Sequence, residues 1–171
     1  MSMRSTAWAL GPLALAIGCA VQPAPRPDTF PSRVERLQRD IAGLSRDGDP
    51  AESLLIAETV LRESYVLAAQ YRLTRPPIVH NALVNLKLRR RGLCWHWTED
   101  LLAKLRELSL RRYAFHWGIA HPGKLFREHN SVIVTARGSE FASGLVLDPW
   151  RGSGELYWVP VAADSYPWEP H

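Results

Sequence analysis

The sequence has only two cysteines, Cys19 and Cys94. Two thiols cannot staple a disulfide-dense scaffold or supply a multi-cysteine zinc module. Long apolar runs are also missing. The stretch from Ala7 to Ile17 is too short to span a bilayer as a stable helix, and Gly11 and Pro12 interrupt it. Charge of one sign is in slight excess only. A formal charge of +4, scattered along the chain, tolerates an anionic surface as neighbour but does not argue for nucleic acid. Neither an internal repeat nor a His-x-x-x-His or Cys-x-x-Cys spacing is present.

What is present is an ordinary globular composition. The chain has 171 residues, 46% hydrophobic and 22% charged, which suits one domain with a real core. A wholly disordered, collagen-like or multi-span membrane chain is excluded. Seven tryptophans are many for this length, and six of them lie at or beyond Trp95. The aromatic weight therefore sits in the C-terminal half.

Residues 1–18 read as a secretory signal peptide: Arg4, then an apolar middle, then small residues at the exit. Ala16-Ile17-Gly18-Cys19 resembles a bacterial lipobox, with Ala16 where Leu is usual. That resemblance implies export and lipidation of Cys19 as the mature N-terminus. The small Ala20 resembles outer-membrane rather than inner-membrane lipoproteins, facing the periplasm. The plainer alternative is ordinary cleavage with Cys19 incidental. Residues 19–31 carry Pro23, Pro25, Pro27 and Pro31, which favour extended polyproline II, so this segment reads as a tether between a lipid bilayer and the domain.

The remainder, 32–171, is expected to be a single α+β domain, with a helical part over 32–91 and a core over 92–161. Ser32 and Glu35 fit a capping box, and Val34, Leu37, Ile41 and Leu44 give one helical face. Asp49-Pro50 starts a second helix running to about Tyr71, with Leu54, Leu61, Tyr65 and Ala68 inward. A third helix from about Ile78, with Val79, Leu83 and Leu86 inward, is expected to close in the basic run Lys87 to Arg91 and Gly92. A fourth should cover Trp95 to about Leu110. From Tyr113 the period changes to two, and strands are expected at Tyr113–Ile119, Asn130–Ala136, Leu145–Leu147 and Leu156–Val161. Helices followed by antiparallel strands make an α+β arrangement.

Cys94 is the residue that needs an explanation. With Cys19 lipidated it has no partner within the chain, and a single thiol in an exported protein is either buried and inert or reactive for a purpose. It lies at a predicted helix start after a Gly-containing turn. At such a place backbone N–H groups and the helix dipole favour negative charge, and the same groups can hold the oxyanion of a tetrahedral intermediate. A nucleophile needs a base, and the base needs an orienting group. His129 opens the second strand and Asp148 closes the third. A hairpin between those strands would put imidazole and carboxylate side by side, facing Cys94.

At these residues the chain resembles the bacterial transglutaminase-like cysteine proteinases, within the wider papain-like group. Gly92-Leu93-Cys94-Trp95 looks like their Gly-x-Cys-Trp nucleophile motif. Glu128-His129-Asn130 before an apolar strand looks like their His strand, and Leu147-Asp148-Pro149-Trp150 like their final Asp. The likeness covers roughly residues 78–161. Related peptidases that carry Asp-Cys-Ser-Gly at the nucleophile fit less well, since this chain has Leu93-Cys94-Trp95-His96. The resemblance implies a nucleophile-bearing helix packed on an antiparallel sheet. It also implies thiol-dependent hydrolysis or acyl transfer on amide bonds of a peptide, protein or peptidoglycan, with Cys94, His129 and Asp148 catalytic and no cofactor or metal.

Competing readings stay open. Trp95, His96 and Trp150 would line the cleft, although Trp95, Trp97, Trp117, Trp150 and Trp158 are first of all core and His96 is more simply rim packing. A zinc site from Cys94, His96, His116 and His129 is a minor alternative without supporting spacing. A non-catalytic envelope-anchored module that binds a partner in an aromatic cleft is the main alternative to an enzyme.

Overall fold

A computed structural model describes residues 30–171. The expected signal peptide, Cys19 and most of the expected tether lie outside the described residues. Four α-helices come first: α1 (Phe30–Ala42), α2 (Pro50–Gln70), α3 (Pro77–Asn85) and α4 (Cys94–Arg106). Five strands follow: β1 (Tyr113–Ala120), β2 (His129–Ala136), β3 (Leu145–Asp148), β4 (Tyr157–Pro160) and β5 (Trp168–Pro170). They form one antiparallel sheet in the order β4-β3-β2-β1-β5. The α+β arrangement expected from the sequence is therefore present. Among the described residues no helix is long and apolar enough to cross a membrane.

β2 is the central strand and is buried along its whole length. Its two faces meet different partners, because successive side chains on a strand alternate. Val132 and Val134 join Leu147 and the helical residues Leu37, Ile56, Leu61, Trp97, Leu101 and Leu105 in the main core. Ile133 faces the other way and packs with Val146 and Val161 under Phe141, Val159 and Trp168. A strand covered on both sides can hold polar groups out of water only if they are paired.

Several local expectations shift. α1 begins at Phe30, so Ser32 lies inside its first turn instead of capping it, and Pro31 takes an early position where a missing N–H costs nothing. Asp49 caps α2 as expected, its Oδ1 accepting from the N–H groups of Ala51 (2.8 Å) and Glu52 (3.1 Å). Leu54, expected inward, is exposed; the buried stripe takes in Ser53 and Ser64, whose hydroxyls donate to the carbonyls of Pro50 and Val60. α3 ends at Asn85, ahead of the basic run, and its inward face is rotated. His80 and Val84 are buried while Val79 and Leu86 are exposed. His80 wins the inward position because both ring nitrogens find backbone partners: Nδ1 accepts from Thr74 N–H (3.2 Å), which leaves Nε2 to donate to Arg91 C=O (2.9 Å). α4 stops at Arg106 instead of Leu110. The Glu52 carboxylate takes the N–H groups of Arg111 (2.7 Å) and Arg112 (2.9 Å) and steers the chain into β1. The short β5 was not expected; it pairs with β1 and extends the sheet beyond residue 161.

Gly92 links this frame to the start of α4. Its φ is +125°, and a Cβ there would lie 2.1 Å from His80 Nε2. Gly92→Ala is therefore expected to cost about 1–3 kcal/mol of stability, read as a lower denaturant midpoint at unchanged m-value.

Candidate functional site

The turn before α4 is fixed from several sides. His96 Nδ1 accepts from the N–H groups of Gly92 and Leu93, each at 3.2 Å. This is the reverse half of a capping arrangement, supplied by a histidine because Leu93 at the cap has no acceptor side chain. Burial, with Arg91 nearby, lowers the His96 pKa and keeps the ring neutral, as an accepting Nδ1 requires. Trp97 Nε1 donates to Gly92 C=O (3.1 Å). Arg91 is clamped to Asp100 through Nε (2.9 Å) and Nη2 (2.8 Å), and the Tyr71 hydroxyl donates to the same carboxylate (2.5 Å). These contacts seat Cys94 as the first residue of α4, where its N–H has no helical carbonyl to reach. Its side chain is half-buried.

His129 and Asp148 meet at the end of the sheet. His129 Nε2 lies 2.6 Å from Asp148 Oδ2, with the two residues 2% and 1% exposed. The carboxylate is further held by Arg151, whose N–H donates to Oδ1 (3.0 Å) and whose Nε donates to Oδ2 (2.8 Å). Arg151 also makes a two-pronged contact with Asp164 (2.9 and 2.6 Å), which in turn accepts from Trp168 Nε1 (2.8 Å). The chain of alternating charge is thus His129, Asp148, Arg151, Asp164. The Arg151 guanidinium lies over the rings of Tyr157 (4.2 Å) and Tyr166 (5.0 Å). Trp150, Tyr166 and Trp168 surround the imidazole at ring centroid distances of 4.8, 5.0 and 5.5 Å.

Burial disfavours a charged His129, but the adjoining Asp148 carboxylate outweighs it. The nearby Cys94 adds to the effect, and the imidazole pKa is raised to about 9. Burial likewise opposes ionisation of Asp148, yet His129 and Arg151 hold its carboxyl below the usual range. With Nε2 committed to Asp148, Nδ1 is the nitrogen left for the sulfur. Asn130, the next residue on β2, brings its Nδ2 to 3.9 Å from Cys94 Sγ. Cys94 therefore stands where β2 ends, within reach of both neighbouring residues of that strand.

The structure brings Cys94, His129 and Asp148 together. Trp150 also belongs here: with His129, His121, Phe126, Arg127 and Tyr166 it lines a cavity of about 360 Å³. That cavity adjoins the imidazole more than the sulfur. Trp95 and His96 line a different cavity, with Leu93, Arg89 and Arg90. Trp95 is not core; it is 42% exposed and stacks on His96. The zinc alternative does not assemble. His96 is spent on the α4 turn, His116 Nε2 pairs with Thr135 Oγ1 (2.8 Å), and among the described residues no group of His, Cys, Asp or Glu is placed to hold a metal ion. Sequence reasoning missed Asn130, Arg151, Asp164, Tyr166 and Trp168 as parts of this site. Arg151 had a usable signal, because a cation three residues past a buried Asp can fold back through the intervening turn. Asp164, Tyr166 and Trp168 had none, since β5 alone brings them in.

No protein-family model, curated protein or solved structure matches the chain.

Two outcomes follow from the charge chain. A histidine whose pKa rises from 6.5 to about 9 on folding contributes stability that is complete below pH 6.5 and is lost as pH climbs through 9. Asp148, lowered from 3.8, contributes above that value and loses its share in stronger acid. The unfolding midpoint should thus fall between pH 6.5 and 9, and this slope should flatten in Asp148→Asn, in which NMR titration of His129 should give a lower pKa. Arg151→Leu leaves Asp164 without its cation and Asp148 with His129 alone, and should destabilise by about 3–5 kcal/mol in denaturant unfolding.

Proposed function

We propose that this chain is a thiol-dependent enzyme of the transglutaminase-like kind, cleaving or transferring at amide bonds. Its substrate would be a peptide, a protein or a peptidoglycan cross-link. The observation that carries the reading is the grouping of three side chains: Cys94 at the first position of α4 with its sulfur 3.9 Å from Asn130 Nδ2, His129 next to Asn130 on β2, and Asp148 buried behind the imidazole at 2.6 Å. An aromatic cleft that only binds a partner has no use for a histidine kept charged against its own burial.

In this reading the Cys94 thiolate adds to the carbonyl carbon, and the carbonyl π pair moves onto oxygen. The Cys94 N–H is one donor to that oxygen. On collapse the C–N bond breaks, and His129 hands its proton to the leaving amine, so that a thioester remains on Cys94. The neutral imidazole then takes a proton from water or from a second amine, which resolves the thioester by hydrolysis or transfer. Asp148 holds the ring orientation and stabilises its cationic form, while Arg151 keeps Asp148 ionised. The N-terminal sequence supports a place in the bacterial envelope: an apolar leader, Cys19 in a lipobox-like setting and a proline-rich spacer, together suggesting an outer-membrane lipoprotein facing the periplasm.

The test is alkylation of Cys94 by iodoacetamide across pH, followed by peptide mass spectrometry. At pH 7 the wild-type rate is expected to exceed that of His129→Ala by about 10²-fold, with Asp148→Ala in between. Equal rates and equal pH profiles in wild type and His129→Ala would overturn the reading.

A further inference from the structure

We propose that Asn130 is the second oxyanion donor of this site, acting with the Cys94 N–H on the oxygen that becomes negative when the sulfur adds to a carbonyl. The proposal rests on the acyl-transfer reading above and assigns a role which that reading leaves unfilled.

Asn130 follows His129 on β2, so the two side chains leave the strand on opposite faces. His129 goes to the Asp148 side; Asn130 goes to the α4 side with Val132 and Val134, and is 5% exposed. Its amide orientation is decided by a neighbour. Trp117 Nε1, which can only donate, gives its hydrogen to Asn130 Oδ1 at 2.7 Å. The amide therefore presents Nδ2 on its other side, 3.9 Å from Cys94 Sγ. Trp117 is itself held in β1, and its carbonyl accepts from His171 N–H at 3.0 Å.

This donor is poorly matched to its resting partner. A long contact to sulfur is a weak use for a buried amide N–H. When the S–C bond forms, the former carbonyl oxygen sits two bonds from the sulfur, on the same carbon. A donor already near the sulfur reaches that oxygen without reorganising. The interaction is then stronger in the transition state than in the ground state, which is the condition for it to raise the rate. The Cys94 N–H approaches from the helix and Asn130 Nδ2 from the sheet. His129 stays free on the opposite side to protonate the leaving group.

The experiment compares two reactions of the same sulfur in the full chain. Iodoacetamide alkylates by direct displacement and forms no oxyanion. p-Nitrophenyl acetate acylates through a tetrahedral oxyanion. Both rates are read at Cys94 by mass spectrometry, and their ratio cancels any loss of folded protein. In Asn130→Ala the alkylation rate should stay within about twofold of wild type while acylation falls about 10²-fold. Trp117→Phe, which releases the amide to turn over, should lower the same ratio by a smaller factor. If acylation in Asn130→Ala keeps pace with alkylation, whether both hold or both fall, the proposal is overturned and Asn130 is a packing residue. A wild-type Cys94 that alkylates in a His129-dependent way and acylates equally well with and without Asn130 sinks this proposal alone. A wild-type sulfur that p-nitrophenyl acetate does not acylate sinks the acyl-transfer reading and this proposal together.

Discussion

A carboxylate with 1% of its surface exposed cannot remain ionised unless cations sit against it, and Asp148 has two. Everything at this end of the sheet answers to that requirement. His129 bonds one side of the carboxylate, which favours the charged imidazole. Arg151 satisfies the other, and being a cation in a covered place itself, it needs Asp164. Asp164 is in turn tied to Trp168, so the same chain of charge links β5, which pairs with β1, back to β3 and β2. Removing one member leaves a buried charge short of a counterpart.

The sulfur is placed by an independent device. A buried histidine in α3 bonds the backbone of Thr74 before the helix and of Arg91 after it, and Gly92 passes so close to its ring that no other residue fits with the same backbone. His96 reaches back to cap the helix start that Leu93 cannot cap. Two neutral histidines therefore build the turn that carries Cys94, while a charged one stands opposite it. α3 is joined to the other half as well, since Trp150 Nε1 donates to Asn81 Oδ1 at 3.1 Å. The helical half thus helps to shape the wall beside the imidazole.

The end of a central strand is a useful place for such chemistry. Alternation sends His129 and Asn130 to opposite faces, yet both stand at the end of the strand where the Cys94 sulfur approaches, 3.9 Å from Asn130 Nδ2. Farther along β2 the same alternation separates two hydrophobic clusters, and no single group could touch both faces. The site exists where the sheet runs out and the aromatic side chains of β5 and its approach close over the gap.

Periodicity and punctuation were enough to read the α+β order, the helical face of Val34, Leu37 and Ile41, the turn into α4 and the two strands bearing His129 and Asp148. These are local properties: residue spacing, cap chemistry and turn residues act over a few positions, so they are written along the chain. The candidate trio was legible because its members sit at element ends, which those signals mark. Which face of α3 turns inward was not legible, because His80 won its position through carbonyls and N–H groups supplied by distant turns. Nor were the roles of Arg151, Asp164 and Asn130, each decided by a partner that only folding delivers: a carboxylate across a turn, a cation from another loop, an indole on the neighbouring strand. Burial of charge is a property of the whole packed molecule, and no stretch of sequence carries it alone.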